Sequence, residues 1–123
     1  MNQSINEMVV NGQTYVLKGS ENVPATKVDG MEYVVIRTYS AGVHTGYLES
    51  RAGKDVCLRK SRRIWYWDGA ASLSQMAVDG VSNPDGCKFS VEVDKIELTE
   101  AVEVLYCTEK AKTNICGVKV WKK

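Results

Sequence analysis

The chain has 123 residues, 44% of them hydrophobic and 25% charged, with a formal net charge of +1. Those are ordinary values for one compact soluble domain, and at this length folding removes roughly two-thirds of the unfolded surface from water, enough for a core without a metal or disulfide. Apolar runs such as Tyr33-Val34-Val35-Ile36 fall far short of the roughly 20 residues of a membrane helix, and Met1 to Glu7 lacks the basic and apolar regions of a secretory signal, so a cytoplasmic protein is expected.

In chain order, Met8-Val9-Val10 and Gln13-Thr14-Tyr15-Val16-Leu17 flank Asn11-Gly12, a dipeptide that accepts the positive φ angles of a type I′ turn, and predict a hairpin. Gly19 to Gly30, rich in Gly, Ser, Asn, Pro and Asp without a period, predicts a loop. Tyr33–Tyr39, Val43–Glu49 and Asp55–Trp67 are β-branched and aromatic and are separated by Ala41-Gly42 and Ala52-Gly53, which predicts an antiparallel meander with a tight turn at Gly53. Ala70, Leu73, Ala77 and Val78 recur at helical spacing up to Gly80, predicting a helix over 70–79.

Asn83-Pro84-Asp85-Gly86 is a turn by composition, and Phe89, Val91 and Val93 alternate in a strand over Lys88–Val93. Ile96, Leu98, Val102 and Val104 alternate in one phase, so 95–107 reads as a single strand bent near Thr99, with a helix through Thr99-Glu100-Ala101 as the alternative. Thr108 caps a second helix, Glu109–Cys116, stopped by Gly117, and the tail Val118–Trp121 alternates again. The sum is an α+β fold: an antiparallel β-sheet meander, two short helices and an N-terminal β-hairpin. One domain, 1–123, is expected, with 1–30 as a hairpin-and-loop arm and 31–123 as the main body.

Cys57, Cys87, Cys107 and Cys116 never stand at zinc-ligand spacing, so they read as small buried hydrophobes, with a disulfide framework as the alternative; no metal and no cofactor is expected. His44, the one histidine, reads as a solvent-facing strand residue, with a lone acid or base as the alternative. No serine lies in a G-x-S-x-G elbow, and an enzyme is not expected.

Charge is segregated beneath the near-neutral total. Residues 51–63 carry six cations against Asp55, and 110–123 carry five lysines and no acid, while 79–109 hold eight acids and two lysines. A duplex-coating protein would be basic throughout; compact basic sites suit a small anion or a complementary surface on another copy.

Arg59-Lys60-Ser61-Arg62-Arg63-Ile64-Trp65-Tyr66-Trp67 carries most of the functional signal. If extended, it puts Arg59, Ser61, Arg63, Trp65 and Trp67 on one face and Lys60, Arg62, Ile64 and Tyr66 on the other. Guanidinium groups fork onto phosphate and indoles stack on bases, which is the chemistry of nucleotide recognition, although strand aromatics more often fill cores. The following Gly69-Ala70-Ala71-Ser72 opens a helix whose free N–H groups attract an anion, unless Asp68 caps them. Candidate ligand-binding residues are Arg62, Arg63, Trp65, Trp67, Ser72, Lys88, Phe89, Lys110 and Thr113.

Val35-Ile36-Arg37-Thr38 leading to Ala41-Gly42-Val43, the run Arg62 to Leu73, Cys87-Lys88-Phe89 and Thr108-Glu109-Lys110-Ala111 together resemble a family of small phage anti-defence sponges over about 34–121. These counter Thoeris immunity by sequestering cyclic ADP-ribose isomers and, in some members, CBASS cyclic trinucleotides. The resemblance implies a homo-oligomer that holds a cyclic nucleotide at subunit interfaces without cleaving it, in the cytoplasm of an infected bacterium; from the short apolar runs and the charge balance, neither a membrane nor duplex DNA is expected as a partner. A single-stranded nucleic-acid binding module and a phage structural or interaction protein are the alternatives.

Overall fold

The structure, a computed structural model, describes residues 7–10, 13–16 and 23–123. Strand β1 (Glu7–Val10) pairs antiparallel with β2 (Gln13–Val16), Glu7 opposite Val16, while the Asn11-Gly12 turn lies outside the described residues. Strands β3 (Glu32–Thr38), β4 (Val43–Ala52) and β5 (Asp55–Tyr66) form the expected antiparallel meander, and Gly53 (φ 62°) supplies the left-handed backbone of the β4–β5 turn. Helix α1 (Leu73–Asp79), β6 (Lys88–Phe89), β7 (Val93–Leu98), β8 (Ala101–Tyr106) and α2 (Glu109–Cys116) follow.

The segment expected as one bent strand over 95–107 is two strands on opposite sides of the sheet: β7 pairs with β5, and β8 pairs with β3. Flat, the path β7-β5-β4-β3-β8 would span about 19 Å, yet the link Thr99–Glu100 covers only about 11 Å. The sheet therefore curls, enclosing Val34, Ile36, Val56, Leu58, Leu98 and Ala101. Ala101 N–H donates to the Lys54 carbonyl at 3.1 Å, tying β8 to the β4–β5 turn. An in-phase alternation fits both arrangements, so the pattern alone did not separate them. The strand expected over Lys88–Val93 stops at Phe89, and the exposed Val91 stands outside it.

The opposite face of the sheet packs Tyr33, Val35, Tyr47, Ile64 and Phe89 against Leu73, Met76, Ala77, Ala111 and Ile115 of the two helices. Helix α1 begins at Leu73 rather than at 70, because Ser72 is its N-cap and accepts from Gln75 N–H. Thr108 caps α2 as expected, accepting from Ala111 N–H, and its hydroxyl donates to the Val78 carbonyl at 2.7 Å, which locks the two helices together. The described part of the 19–30 loop lies along this corner: Ala25 N–H donates to the Cys107 carbonyl, and Thr26 N–H to the Glu109 carboxylate. Among the described residues no helix is long and apolar enough to cross a membrane.

Candidate functional site

The alternation expected along 59–67 is broken. Tyr47 opposes Arg59 and Thr45 opposes Arg62, so β5 carries one residue more than β4 across this interval. The extra residue is a bulge at Lys60, whose φ is 51°. Arg59 therefore shares the Tyr47 side of the sheet with Arg62, while Ser61 and Arg63 project to the other side beside His44. Gly46 faces the bulge, where an added Cβ would lie 3.0 Å from the Arg59 carbonyl oxygen and 3.1 Å from Ser61 Cα.

This register overturns part of the expected site. Arg62 is 6% exposed and binds the protein itself: its guanidinium donates to the carbonyls of Ser90 (2.9 Å), Ile115 (3.2 Å) and Lys119 (3.2 Å) and lies 5.3 Å from the Phe89 ring centroid. Ile115 is in the last turn of α2, where the helix dipole favours a cation. Phe89 is fully buried in the helix-side core and offers no ligand platform.

Ser72 is taken by its own helix, and Ala71 N–H is likewise met by Gln75 Oε1, so the expected anion position at this helix start is filled by side chains. Asp68, considered as the cap, instead accepts from Asn83 Nδ2. Lys110 pairs with Asp79 at 3.5 Å, and the Thr113 hydroxyl donates to Glu109, which uses both residues within the helical layer. Arg59 is held by Glu49 and Asp94.

Arg63, Trp65 and Trp67 do come together, lining a cleft of about 510 Å³ whose facing wall is Ser40-Ala41-Gly42-Val43. That wall is braced. The Thr38 hydroxyl donates to the Gly42 carbonyl at 2.7 Å and accepts from Ala41 N–H, Tyr39 N–H donates to the Glu100 carbonyl, and Ser40 Oγ bonds the Glu100 carboxylate. Trp67 is fixed by Nε1–H donating to the Ala70 carbonyl at 3.1 Å. Trp65, by contrast, is 67% exposed, and among the described residues Arg63 has no ion-pair partner.

Trp65 lies nearly parallel to Trp121, with centroids 6.4 Å apart and planes at 12°. Trp121 is placed by its N–H donating to the Phe89 carbonyl at 2.8 Å, and Lys88 Nζ sits 5.3 Å from its ring centroid. Beyond it a smaller cleft of about 410 Å³ is lined by Lys88, Lys119, Lys122 and Asp85 among others. Trp121 and the Ser40–Gly42 turn were missing from the expected site. An aromatic set among Lys119, Lys122 and Lys123 was the available signal for the first, whereas the second depends on strand register.

His44 is fully buried, not solvent-facing: β3 and β5 flank it, and its Nε2 lies 2.9 Å from the Ala41 carbonyl oxygen. Burial holds its imidazole below the ordinary 6.5. Cys57, Cys87 and Cys107 are buried as expected, and burial pushes the Cys107 thiol up to about 12, whereas Cys116 is exposed. Among the described residues no group of three or more His, Cys, Asp or Glu side chains is placed to hold a metal ion.

Residues 31–115 match the model of a family described as a domain of unknown function, DUF6948. No curated protein and no solved structure matches the chain.

Proposed function

The chain belongs to the DUF6948 family, and from the chemistry of the Arg63–Trp65 cleft we propose that it binds a compact nucleotide and holds it without cleaving it. The observation that carries this reading is the exposed Trp65 ring on the rim of a braced cleft, beside a guanidinium with no ion-pair partner among the described residues. A base stacked on an indole gains about 1–3 kcal/mol, and an arginine fork binds phosphate through two parallel hydrogen bonds. The volume of about 510 Å³ falls in the range of small-molecule sites. Because the Ser40–Gly42 wall is already tied down, little ordering would accompany binding, which favours slow release.

The resemblance to the anti-defence sponges supplies the ligand class: a cyclic ADP-ribose isomer or a cyclic oligonucleotide, captured in the cytoplasm of an infected bacterium so that anti-phage signalling fails. Trp65 and Trp121 are both exposed and lie nearly parallel to each other, and apolar rings held at the surface in this way are of the kind a second copy covers in a homo-oligomer with sites at its interfaces.

The test incubates purified protein with cyclic ADP-ribose isomers and cyclic trinucleotides, denatures it by heat and assays the released ligand. Intact ligand is taken up and recovered; cleaved ligand would make the protein an enzyme, and no uptake would remove the reading. A second reading, a single-stranded nucleic-acid binder, is favoured by the near-parallel tryptophans flanked by lysines. It requires affinity that rises with oligonucleotide length and falls steeply with salt.

A further inference from the structure

The two exposed tryptophans join clefts of different chemistry. Trp65 lines the cleft of about 510 Å³ that holds Arg63, and Trp121 lines the one of about 410 Å³ that holds Lys88, Lys119 and Lys122. The rings lie nearly parallel, with centroids 6.4 Å apart. Nucleotide binding at Arg63 and Trp65 alone leaves the three lysines without a role.

The fold brings these lysines together from distant parts of the chain. Ile64 and Phe89 are paired across β5 and β6 and both pack in the helix-side core, so their strand neighbours Trp65 and Lys88 project to the other side of the sheet. The tail reaches the same place because its backbone is fastened there. Val120 bridges Phe89, Trp121 N–H donates to the Phe89 carbonyl at 2.8 Å, and the buried Arg62 guanidinium donates to the Lys119 carbonyl at 3.2 Å. Lys88 Nζ then sits 5.3 Å from the Trp121 ring centroid.

Arg37, Arg59, Lys95 and Lys110 each have a carboxylate partner, whereas among the described residues none of Lys88, Lys119 and Lys122 is in an ion pair. Asp85 is the one acid lining their cleft. Like charges held together repel, and an anion placed among them relieves that repulsion. Ammonium groups on long stems suit phosphate as mobile point charges, while the Arg63 fork suits it by shape.

We propose that the lysine cleft is a second phosphate subsite, and that the nucleotide held at Trp65 carries phosphate at two separate positions of its sugar. One phosphate lies on Arg63, the other among Lys88, Lys119 and Lys122, and the base lies against the tryptophan pair. A nucleotide with a single phosphate fills only one of the two anion positions, so the site selects nucleotides linked through more than one. The inference rests on the nucleotide reading for its base, but the lysines can be altered without touching the rings.

Calorimetry at fixed ionic strength with adenosine 3′,5′-bisphosphate, 3′-AMP, 5′-AMP and inorganic pyrophosphate tests it. The proteins are the wild type, the triple variant Lys88→Gln, Lys119→Gln, Lys122→Gln, and a control triple variant Lys27→Gln, Arg51→Gln, Lys54→Gln. The control makes the same change of charge at exposed residues that line neither cleft. Circular dichroism melting checks that each is folded, and Lys122→Gln alone replaces the first triple variant if that one is not. The bisphosphate should bind the wild type about tenfold or more tighter than the better of the two monophosphates. That advantage should vanish in the lysine triple variant, shrink in Lys122→Gln and persist in the control. No advantage in the wild type, an advantage kept in full by the lysine variant, or one lost equally in the control overturns the second subsite and leaves the nucleotide reading standing. Pyrophosphate binding that needs the lysines, with nucleotides bound no tighter and Trp65→Ala without effect, keeps the anion cleft and overturns the base-stacking reading. No binding of any probe overturns both.

Discussion

Replacing Arg62 by alanine should be the most damaging single change in β5, although the neighbouring Arg63 looks equivalent in sequence. The substitution removes hydrogen bonds of 2.9, 3.2 and 3.2 Å to the Ser90, Ile115 and Lys119 carbonyls, together with a fourth contact of 3.5 Å to Phe89. Each bond to a charged donor is worth about 1.5–3 kcal/mol, and the desolvation of the buried cation offsets part of the sum. The orphaned carbonyls belong to three separate pieces of chain, so collapse cannot re-pair them, and a net loss of about 3–5 kcal/mol follows. In a domain with a total stability of about 5–15 kcal/mol, that lowers the melting temperature by roughly 10–20 °C. Arg62→Lys, which keeps the charge but loses the fork, should fall between alanine and wild type. Arg63→Ala should stay within about 0.5 kcal/mol of wild type, since its side chain is exposed and unpaired among the described residues. Urea unfolding of the three variants reads these differences directly. An Arg62→Ala unfolding free energy within about 1 kcal/mol of wild type, or an equal loss in Arg63→Ala, would refute the structural role.

Trp65→Ala should weaken cyclic nucleotide binding by about 10- to 100-fold, with the unfolding midpoint nearly unchanged, as a competition assay and a urea melt on the same preparation will show. Gly80→Ala should cost about 2–4 kcal/mol in urea unfolding: Gly80 has φ 78°, and a Cβ there would lie 2.5 Å from Asn114 Cγ, displacing the side chain that holds Val81 N–H and C=O. Because burial lowers the His44 pKa, the unfolded chain binds that proton more tightly. Its contribution is therefore complete above about pH 6.5 and is lost as the pH falls through the folded value. Urea midpoints from pH 7.5 to 5 should fall more steeply for wild type than for His44→Gln, and parallel curves would contradict this.

The meander, both helices and the Thr108 cap could be read from sequence because each has a local signal: β-branched runs broken by glycine, helical spacing, and a threonine set before a first turn. Features created by register could not. Lysine is a poor marker for a left-handed bulge, so nothing local told Arg59 and Arg63 apart, and the one-residue shift moved Arg62 to the helix side of the sheet. The carbonyls that hold Arg62 come from residues 27 to 57 positions away, which no window along the chain can bring together. His44 was misplaced for a related reason: its side of β4 would face water on a flat sheet and is covered only because β7 and β8 curl over it. Trp65 and Arg63 were recognisable by chemistry, whereas Trp121 joins them through a tail contact at Phe89.

Whether the Arg63–Trp65 cleft holds a nucleotide can be read by mass spectrometry of small molecules released from this protein after production in cells with active cyclic nucleotide signalling, beside the Arg63→Ala, Trp65→Ala double variant. The wild type should release an intact nucleotide in near-stoichiometric amount, and the equally folded variant little. A wild-type protein that releases none, or a variant that carries as much, would contradict it.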